Sequence, residues 1–118
     1  MIRPNRTQEW YQDGELHRDG DKPAAVWTTG TRRWYQHGKR HRDGDQPAID
    51  RGDGSQEWYQ HGQLHRGGDK PASIAASGYK AWALHGRYHR ARGRPAIIYA
   101  SGAKEWWIKG VYTPPSHN

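Results

Sequence analysis

The feature that most constrains this chain is a period of 24 residues. Trp stands at 10, 34, 58, 82 and 106, and Gly at 14, 38, 62, 86 and 110. The pair His-Arg falls at 17–18, 41–42, 65–66 and 89–90, and Pro-Ala at 23–24, 47–48, 71–72 and 95–96. A second Gly closes each unit at 30, 54, 78 and 102, and no insertion breaks the register. Self-similarity at a fixed period marks a repeat architecture, in which each unit is one supersecondary element. The units are 9–32, 33–56, 57–80 and 81–104, with a half-unit at 105–112. Together they make an array over 9–112, preceded by an N-terminal cap (1–8) and followed by a tail (113–118).

Each unit carries at least two Gly and one Pro, too closely spaced for an amphipathic helix. Strand signals fit better. TRRWYQ (31–36) and YKAWAL (79–84) are short, aromatic and bounded by Gly, while PAAVW (23–27), PASIA (71–75) and PAIIYA (95–100) are apolar and end at a turn. Asp13-Gly14, His37-Gly38 and His61-Gly62 mark one turn, and Thr29-Gly30, Asp53-Gly54 and Ser77-Gly78 another. The expected fold is all-β: each unit a β-hairpin, joined in tandem into an elongated, twisted antiparallel meander. One unit does not stand alone. Burying a Trp contributes roughly 4–6 kcal/mol at most, whereas ordering 24 residues costs on the order of 24–48 kcal/mol of backbone entropy. Stacked units share faces and resolve that deficit. Two strands per unit at about 4.8 Å give a rise of about 9.6 Å and a rod on the order of 40 Å long.

Composition supports a thin, aromatic-rich body. The 118 residues allow one domain, mean hydropathy is -1.28, and seven Trp and seven Tyr accompany one Met and no Phe. With no Cys, disulfides and thiolate metal sites are excluded. The start, MIRPNRTQEWY, has no apolar stretch of a secretory signal, and no segment reaches the length of a membrane helix, so a cytoplasmic protein is expected. Alternation along strands puts Trp and the residue after it on opposite faces. Ala24 and Val26, with Ala72, Ile74, Ala96 and Ile98, are expected to share the face of the Trp ladder (Trp10, Trp34, Trp58, Trp82, Trp106). Asp50, Arg51 and Gly52 are expected to weaken that row in unit two. MIRPNRTQ is expected to cover the first edge, and the two prolines of TPPSHN to stop pairing at the last.

The string W-Y-x-x-G-x-x-H-R, followed by Pro-Ala and a closing Gly, resembles MORN-type repeats over residues 9 to about 112, and more closely their bacterial and viral MORN-like variants. His17-Arg18 and its equivalents replace the His-Gly of common MORN units, and the Pro-Ala pair and the longer period also depart from them. The resemblance implies an elongated β-hairpin array that binds proteins, or sometimes acidic lipids. It implies no enzyme activity.

The histidines invite a metal reading, with His17, His41, His65 and His89 in one row and His37, His61 and His85 in another. Equivalent histidines lie about 9.6 Å apart by the strand arithmetic, too far to share an ion bound at about 2.0–2.1 Å. His37 and His41 could approach across a turn, but no recurring carboxylate or thiol completes the set. The histidines are therefore read as structural hydrogen-bonding groups, with no metal and no cofactor expected. Arg18, Arg42, Arg66 and Arg90 are expected to clamp carboxylates or stack on aromatic rings. The RDGDKP and RDGDQP loops lose their carboxylates in units three and four, which leaves turn chemistry in place of calcium binding. No nucleophile elbow, P-loop or GxGxxG is present, and a catalytic group does not occur four times over, so no enzyme is expected.

The net charge of +7 is uneven. Unit one has three basic and five acidic residues, whereas unit four has Arg87, Arg90, Arg92, Arg94 and Lys104 and no acid. Arg92-Gly93-Arg94 replaces the acidic loop, and Tyr88, Tyr99, Trp107 and Lys109 lie nearby in sequence. Arg with aromatic residues is the composition of a binding hot spot. The expected function is a non-enzymatic protein–protein interaction module, an inhibitor or adaptor in a viral or mobile-element setting, that grips an acidic partner through its C-terminal repeat. Single-stranded nucleic acid or anionic nucleotides, bound by Arg and Trp/Tyr, are the first alternative, and acidic lipids the second. Self-association through hairpin edges is also open.

Overall fold

A computed structural model of the chain describes residues 7–114. The fold is an all-β antiparallel meander of hairpins, elongated at 44 × 25 × 19 Å and without a helix among the described residues. Every strand is two residues long. They are β1 (Gln8–Glu9), β2 (Tyr11–Gln12), β3 (Glu15–Leu16), β4 (Ala25–Val26), β5 (Arg32–Arg33), β6 (Tyr35–Gln36), β7 (Lys39–Arg40), β8 (Ile49–Asp50), β9 (Gln56–Glu57) and β10 (Tyr59–Gln60). The second half holds β11 (Gln63–Leu64), β12 (Ser73–Ile74), β13 (Lys80–Ala81), β14 (Ala83–Leu84), β15 (Arg87–Tyr88), β16 (Ile97–Ile98), β17 (Lys104–Glu105), β18 (Trp107–Ile108) and β19 (Val111–Tyr112). Nine strands form one sheet in the order β1-β4-β5-β8-β9-β12-β13-β16-β17. The other ten pair as five small hairpins, β2-β3, β6-β7, β10-β11, β14-β15 and β18-β19.

Each unit thus supplies two strands to the long sheet and a separate small hairpin, where one hairpin per unit was expected. TRRWYQ and YKAWAL are not single strands; they break at Trp34 and Trp82. The cause is a change of hydrogen-bond partner at the Trp itself. Trp34 N–H donates to Ala48 O (2.7 Å) in the direction of the sheet, while Trp34 O accepts from His41 N–H (3.2 Å) in the small hairpin. The same two bonds recur at Trp10, Trp58 and Trp82. Each Trp is therefore the corner at which the chain leaves the sheet. The hairpin turns are built on paired positive φ angles, as at Asp13 (52°) and Gly14 (80°), the requirement of a two-residue type I′ loop.

Register fixes the two faces of the sheet. Glu9, Ala25, Arg33, Ile49 and Glu57 lie opposite one another on one face, which continues through Ser73, Ala81, Ile97 and Glu105. This Glu face holds a buried row that the sequence reading omitted: Ala25, Ile49, Ala81 and Ile97 are all less than 5% exposed. The row of Val26, Asp50, Ile74 and Ile98, on the other face, is only half-buried. In unit two Asp50 does interrupt the apolar row of the second face, as expected, and other contacts surround it. Ile49 fills the buried row, Asp50 accepts from Arg32 across the strands at 2.9 Å, and Arg51 reaches Glu57 at 3.4 Å. Gly52 takes a left-handed φ of 74°, and a Cβ there would come within 3.3 Å of the Gly30 backbone, a tight contact.

The Trp side chains lie on the second face. The Arg32 guanidinium is 5.7 Å from the Trp34 ring, whereas the Tyr11 and Tyr59 hydroxyls donate to Glu9 and Glu57 on the Glu face. Trp34, Trp58 and Trp82 are buried, while the end members Trp10 and Trp106 are half-buried. The Ala of each Pro-Ala pair is fully buried. Most of the expected N-terminal cap lies outside the described residues; within it Thr7 is buried and Gln8 already belongs to β1. Of the tail, Thr113 and Pro114 are described, and the expected role of the second proline falls outside.

Candidate functional site

Three rows of side chains join each unit to the next. The first is Trp. Trp34 Nε1 donates to Asp21 O (3.2 Å), Trp58 to Asp45 O (3.2 Å), Trp82 to Asp69 O (3.1 Å) and Trp106 to Gly93 O (2.9 Å), each in the loop of the preceding unit. The second is Arg. Arg42, Arg66 and Arg90 place Cζ over the rings of Trp34, Trp58 and Trp82, 3.7–3.8 Å from the centroid, and each donates to a proline carbonyl of its own unit. Each also forks onto a carboxylate of the unit before: Asp21, Asp45 and Asp69, with Nε–O distances of 2.9 Å. Arg18 makes the stack over Trp10 and the bond to Pro23 O. The planar guanidinium suits this combination of stacking and fork geometry.

The third row is His. His17, His41, His65 and His89 accept at Nδ1 from the backbone N–H of His37, His61, His85 and Lys109, the first turn residue of the following hairpin, at 2.9–3.0 Å. That assigns the ring proton of the neutral imidazole to Nε2. In units one and two Nε2 faces Asp19 and Asp43 at 2.8 Å; the equivalent positions in units three and four are Gly67 and Ala91. The close His pairs run between units, His17–His37, His41–His61 and His65–His85, with ring centroids 4.5–4.7 Å apart. These close ring contacts join one unit to the next, whereas the sequence had left open an approach of His37 and His41 within a unit. Among the described residues no group of three or more His, Asp or Glu side chains is placed to hold a metal ion.

This joint is sensitive to acid. Burial, and then the charge of His85, lower the pKa of His65 from 6.5. A proton on Nδ1 would face the His85 N–H donor and break the bond. The hydrogen bond from Arg66 holds the Asp45 carboxyl below 3.8, and that from Arg90 does the same for Asp69. Each folded pKa is depressed, so the stability each group contributes is complete above its unfolded value and lost as pH falls through the folded one. Melting temperature is expected to be flat from pH 9 to 7, to fall modestly below about 6.5, and to fall further below about 3.8. A melting series across that range checks this; no change between pH 7 and 5 would reject the His joint.

Unit four departs from the template in its loop and on the Glu face. Arg92 has φ 65°, at the position that Gly20, Gly44 and Gly68 occupy in the earlier units. The next position is left-handed as well, and there Gly93 (φ 68°) replaces Asp21 (54°), Asp45 (55°) and Asp69 (55°), so each of the four loops holds one non-Gly residue in this region. Gly93 replaces the clamping Asp, so the loop of unit four offers no carboxylate to the next unit.

The nine residues singled out from sequence fall into three places. Arg90 and Arg94 both grip Asp69, and Arg94 repeats the Lys70–Asp45 pair of the preceding unit, so these two serve the joint. Arg87, Arg92, Lys104 and Lys109 are exposed, with Lys104 on the face opposite Glu105. Tyr88, Tyr99 and Trp107 come together on the Glu face around Glu105, which accepts from Trp107 Nε1 at 3.0 Å. A hydrogen bond with Glu105 raises the pKa of Tyr99. Two members of this cluster were missed from sequence. Tyr79 lies 5.7 Å from Tyr99 between ring centroids, and burial, with a smaller effect of Tyr88, pushes its pKa up to about 12. Tyr112 lies 5.6 Å from Trp107. Strand alternation could have found Tyr79, two residues before Ala81, and hairpin register could have found Tyr112, the cross-strand partner of Trp107.

These observations establish the architecture. The chain is a tandem β-hairpin repeat protein. Comparison with models of protein families found none that matches, and searches of curated proteins and of solved structures likewise found no match. In this repeat protein the Trp, His and clamping Arg rows bond one unit to the next.

Proposed function

We propose that this chain is a non-enzymatic protein–protein interaction module of the MORN-like class, acting in the cytoplasm as an inhibitor or adaptor, and that it binds an acidic partner surface through its fourth unit and C-terminal end. The observation that carries the reading is Arg92. Three units place Gly-Asp in this left-handed pair and the fourth places Arg-Gly, which removes a carboxylate and sets an exposed Arg in the loop. Arg87 and Lys109 add exposed positive charge, and Tyr88, Tyr99 and Trp107 supply the aromatic part of the surface. A non-catalytic role is supported by repetition: the histidines and arginines that could do acid–base or phosphate chemistry each hold a backbone group, carboxylate or ring of the array.

Arg92→Gly separates function from stability. It restores the residue of units one to three, so the melting temperature is expected to hold or rise by a few degrees, while capture of the native partner from cell extract falls at least tenfold. Arg87→Glu should weaken capture without lowering melting temperature. Undiminished capture by both variants would reject the basic surface.

The aromatic cluster favours one second reading, stacking of single-stranded bases on Tyr99, Trp107 and Tyr112. The buried indoles of Trp34, Trp58 and Trp82 are not available for that purpose. Nucleic-acid binding should weaken steeply with salt. Absence of any oligonucleotide shift at low salt would eliminate it.

A further inference from the structure

His89 keeps one half of a contact whose other half is absent from unit four. In units one and two the His ring accepts at Nδ1 from the next hairpin and faces a carboxylate at Nε2: His17 with Asp19 and His41 with Asp43, both at 2.8 Å. His89 makes the same Nδ1 bond, to the Lys109 N–H at 2.9 Å, so the ring is held in the same way and Nε2 carries the proton. The position of Asp43 is Ala91 in unit four. Among the described residues no acceptor is hydrogen-bonded to His89 Nε2.

The surroundings of this N–H change in the same direction. On the hairpin side His89 borders a cleft of about 430 Å³ with His85, Arg87 and Lys109. The corresponding cleft of unit two, about 320 Å³, has His37, Lys39 and His61 at those positions and Asp43 in its wall. On the loop side His89 borders a second cleft, of about 360 Å³, with Leu84, Ala91 and Arg92. Its counterpart in unit two has Gln36, Asp43 and Gly44 there, and Asp19 where the His89 cleft has Gly67. Asp69 also lines the His89 cleft, but Arg90 and Arg94 both hold its carboxylate. Unit two therefore answers the His N–H with a carboxylate of its own. Unit four sets the same N–H among Arg87, Arg92 and Lys109, beside an apolar wall.

We propose that the His89 site takes a carboxylate from outside the chain, the Asp or Glu side chain of a partner protein, seated where Asp43 seats its own in unit two. The carboxylate accepts from His89 Nε2. Arg87, Arg92 and Lys109 supply the opposing charge, and Leu84 and Ala91 receive the methylene groups beside it. Hydrogen bonds to an ionised acceptor are stronger than neutral ones. One exposed ion pair contributes little, so recognition depends on three cations and a fixed N–H converging on one anion. His65 is the internal comparison. It accepts at Nδ1 from the His85 N–H and has Gly67 at the position of Asp43, but Gln63, Gly68 and His85 stand where the His89 site has Arg87, Arg92 and Lys109. The inference rests on the reading of the chain as a module for an acidic partner, and it adds which group of the partner is recognised and by which atom.

The probe is the peptide acetyl-Gly-Glu-Gly-amide, titrated into the isotope-labelled 118-residue protein while NMR follows the histidine ring nitrogens. A saturable shift is expected at His89, a weaker response at His65, and none with the glutamine analogue of the peptide. Ala91→Asp returns the residue of units one and two. It should melt no lower than the wild type and bind the peptide about tenfold more weakly, the loss of one charge-assisted bond. Capture of the native partner from cell extract should fall with it. Ser101→Asp adds the same charge where unit two already has Asp53, and should leave peptide binding within about twofold. Absence of a saturable His89 shift, an equal response to the glutamine peptide or at His65, tighter saturation by inorganic phosphate, equal losses in Ala91→Asp and Ser101→Asp, or a lower melting temperature in Ala91→Asp would each overturn the proposal. Capture undiminished by Ala91→Asp but lost in Arg92→Gly would overturn the His89 site and leave the basic surface standing. Capture undiminished in Arg92→Gly and Arg87→Glu as well would reject the acidic-partner reading on which the site rests.

Discussion

Trp58→Ala is expected to lower the unfolding free energy by about 3–5 kcal/mol. Trp58 stands mid-array and is 6% exposed. Its Nε1 donates to Asp45 O of unit two, and its ring carries the Arg66 guanidinium at 3.8 Å. Truncation removes the largest apolar contact of the unit, leaves Arg66 without its platform and cuts one bond between units two and three. The sheet's fully buried side chains are mostly Ala, with Ile49 the largest, so little neighbouring bulk can move into the space. Trp106→Ala should cost less than half as much, because Trp106 is half-buried and Pro114 stands at the position of the stacking Arg. Urea unfolding followed by circular dichroism compares the two. Equal losses would contradict a structure in which stability comes from neighbours on both sides.

Arg66→Ala is expected to cost about 2–3 kcal/mol, from the lost stack on Trp58 and the lost bond to Pro71 O at 3.2 Å. The ion pair with Asp45 contributes less, because the Asp45 side chain is 47% exposed and solvent screens it. A double-mutant cycle with Asp45→Ala should therefore return a coupling under about 1 kcal/mol. Arg66→Lys should recover less than half of the loss. A point ammonium cannot lie flat on the indole, fork onto Asp45 and reach the proline carbonyl together. Full recovery by Lys, or a coupling above about 2 kcal/mol, would assign the stability to charge and not to the stacked plane.

Much of the architecture was legible because its signals are local. The interval of 24 residues, the Gly at each turn and the β-branched or aromatic segments each act within a few residues, and they point to the same meander of hairpins that the structure shows. The contacts of the clamping arginines were legible in kind, since a guanidinium among Asp and Trp has few other uses. Their partners were not. Arg66 takes its carboxylate from Asp45, 21 residues earlier, and His65 takes its N–H from His85, 20 residues later. Nothing in the spacing says which neighbour supplies them.

The sequence by itself determined the period, the all-β class and the turn positions, because backbone conformation at Gly, Pro and paired left-handed residues is set by local sterics. Only the tertiary structure decided that the chain turns a corner at every Trp, that Ile49 and Ile97 face inward while Asp50 and Ile98 do not, and that Tyr79 and Tyr112 join the aromatic group around Glu105. Those outcomes depend on strand register. A shift of one residue exchanges the two faces of a strand, and register is settled by hydrogen bonds between strands distant in sequence.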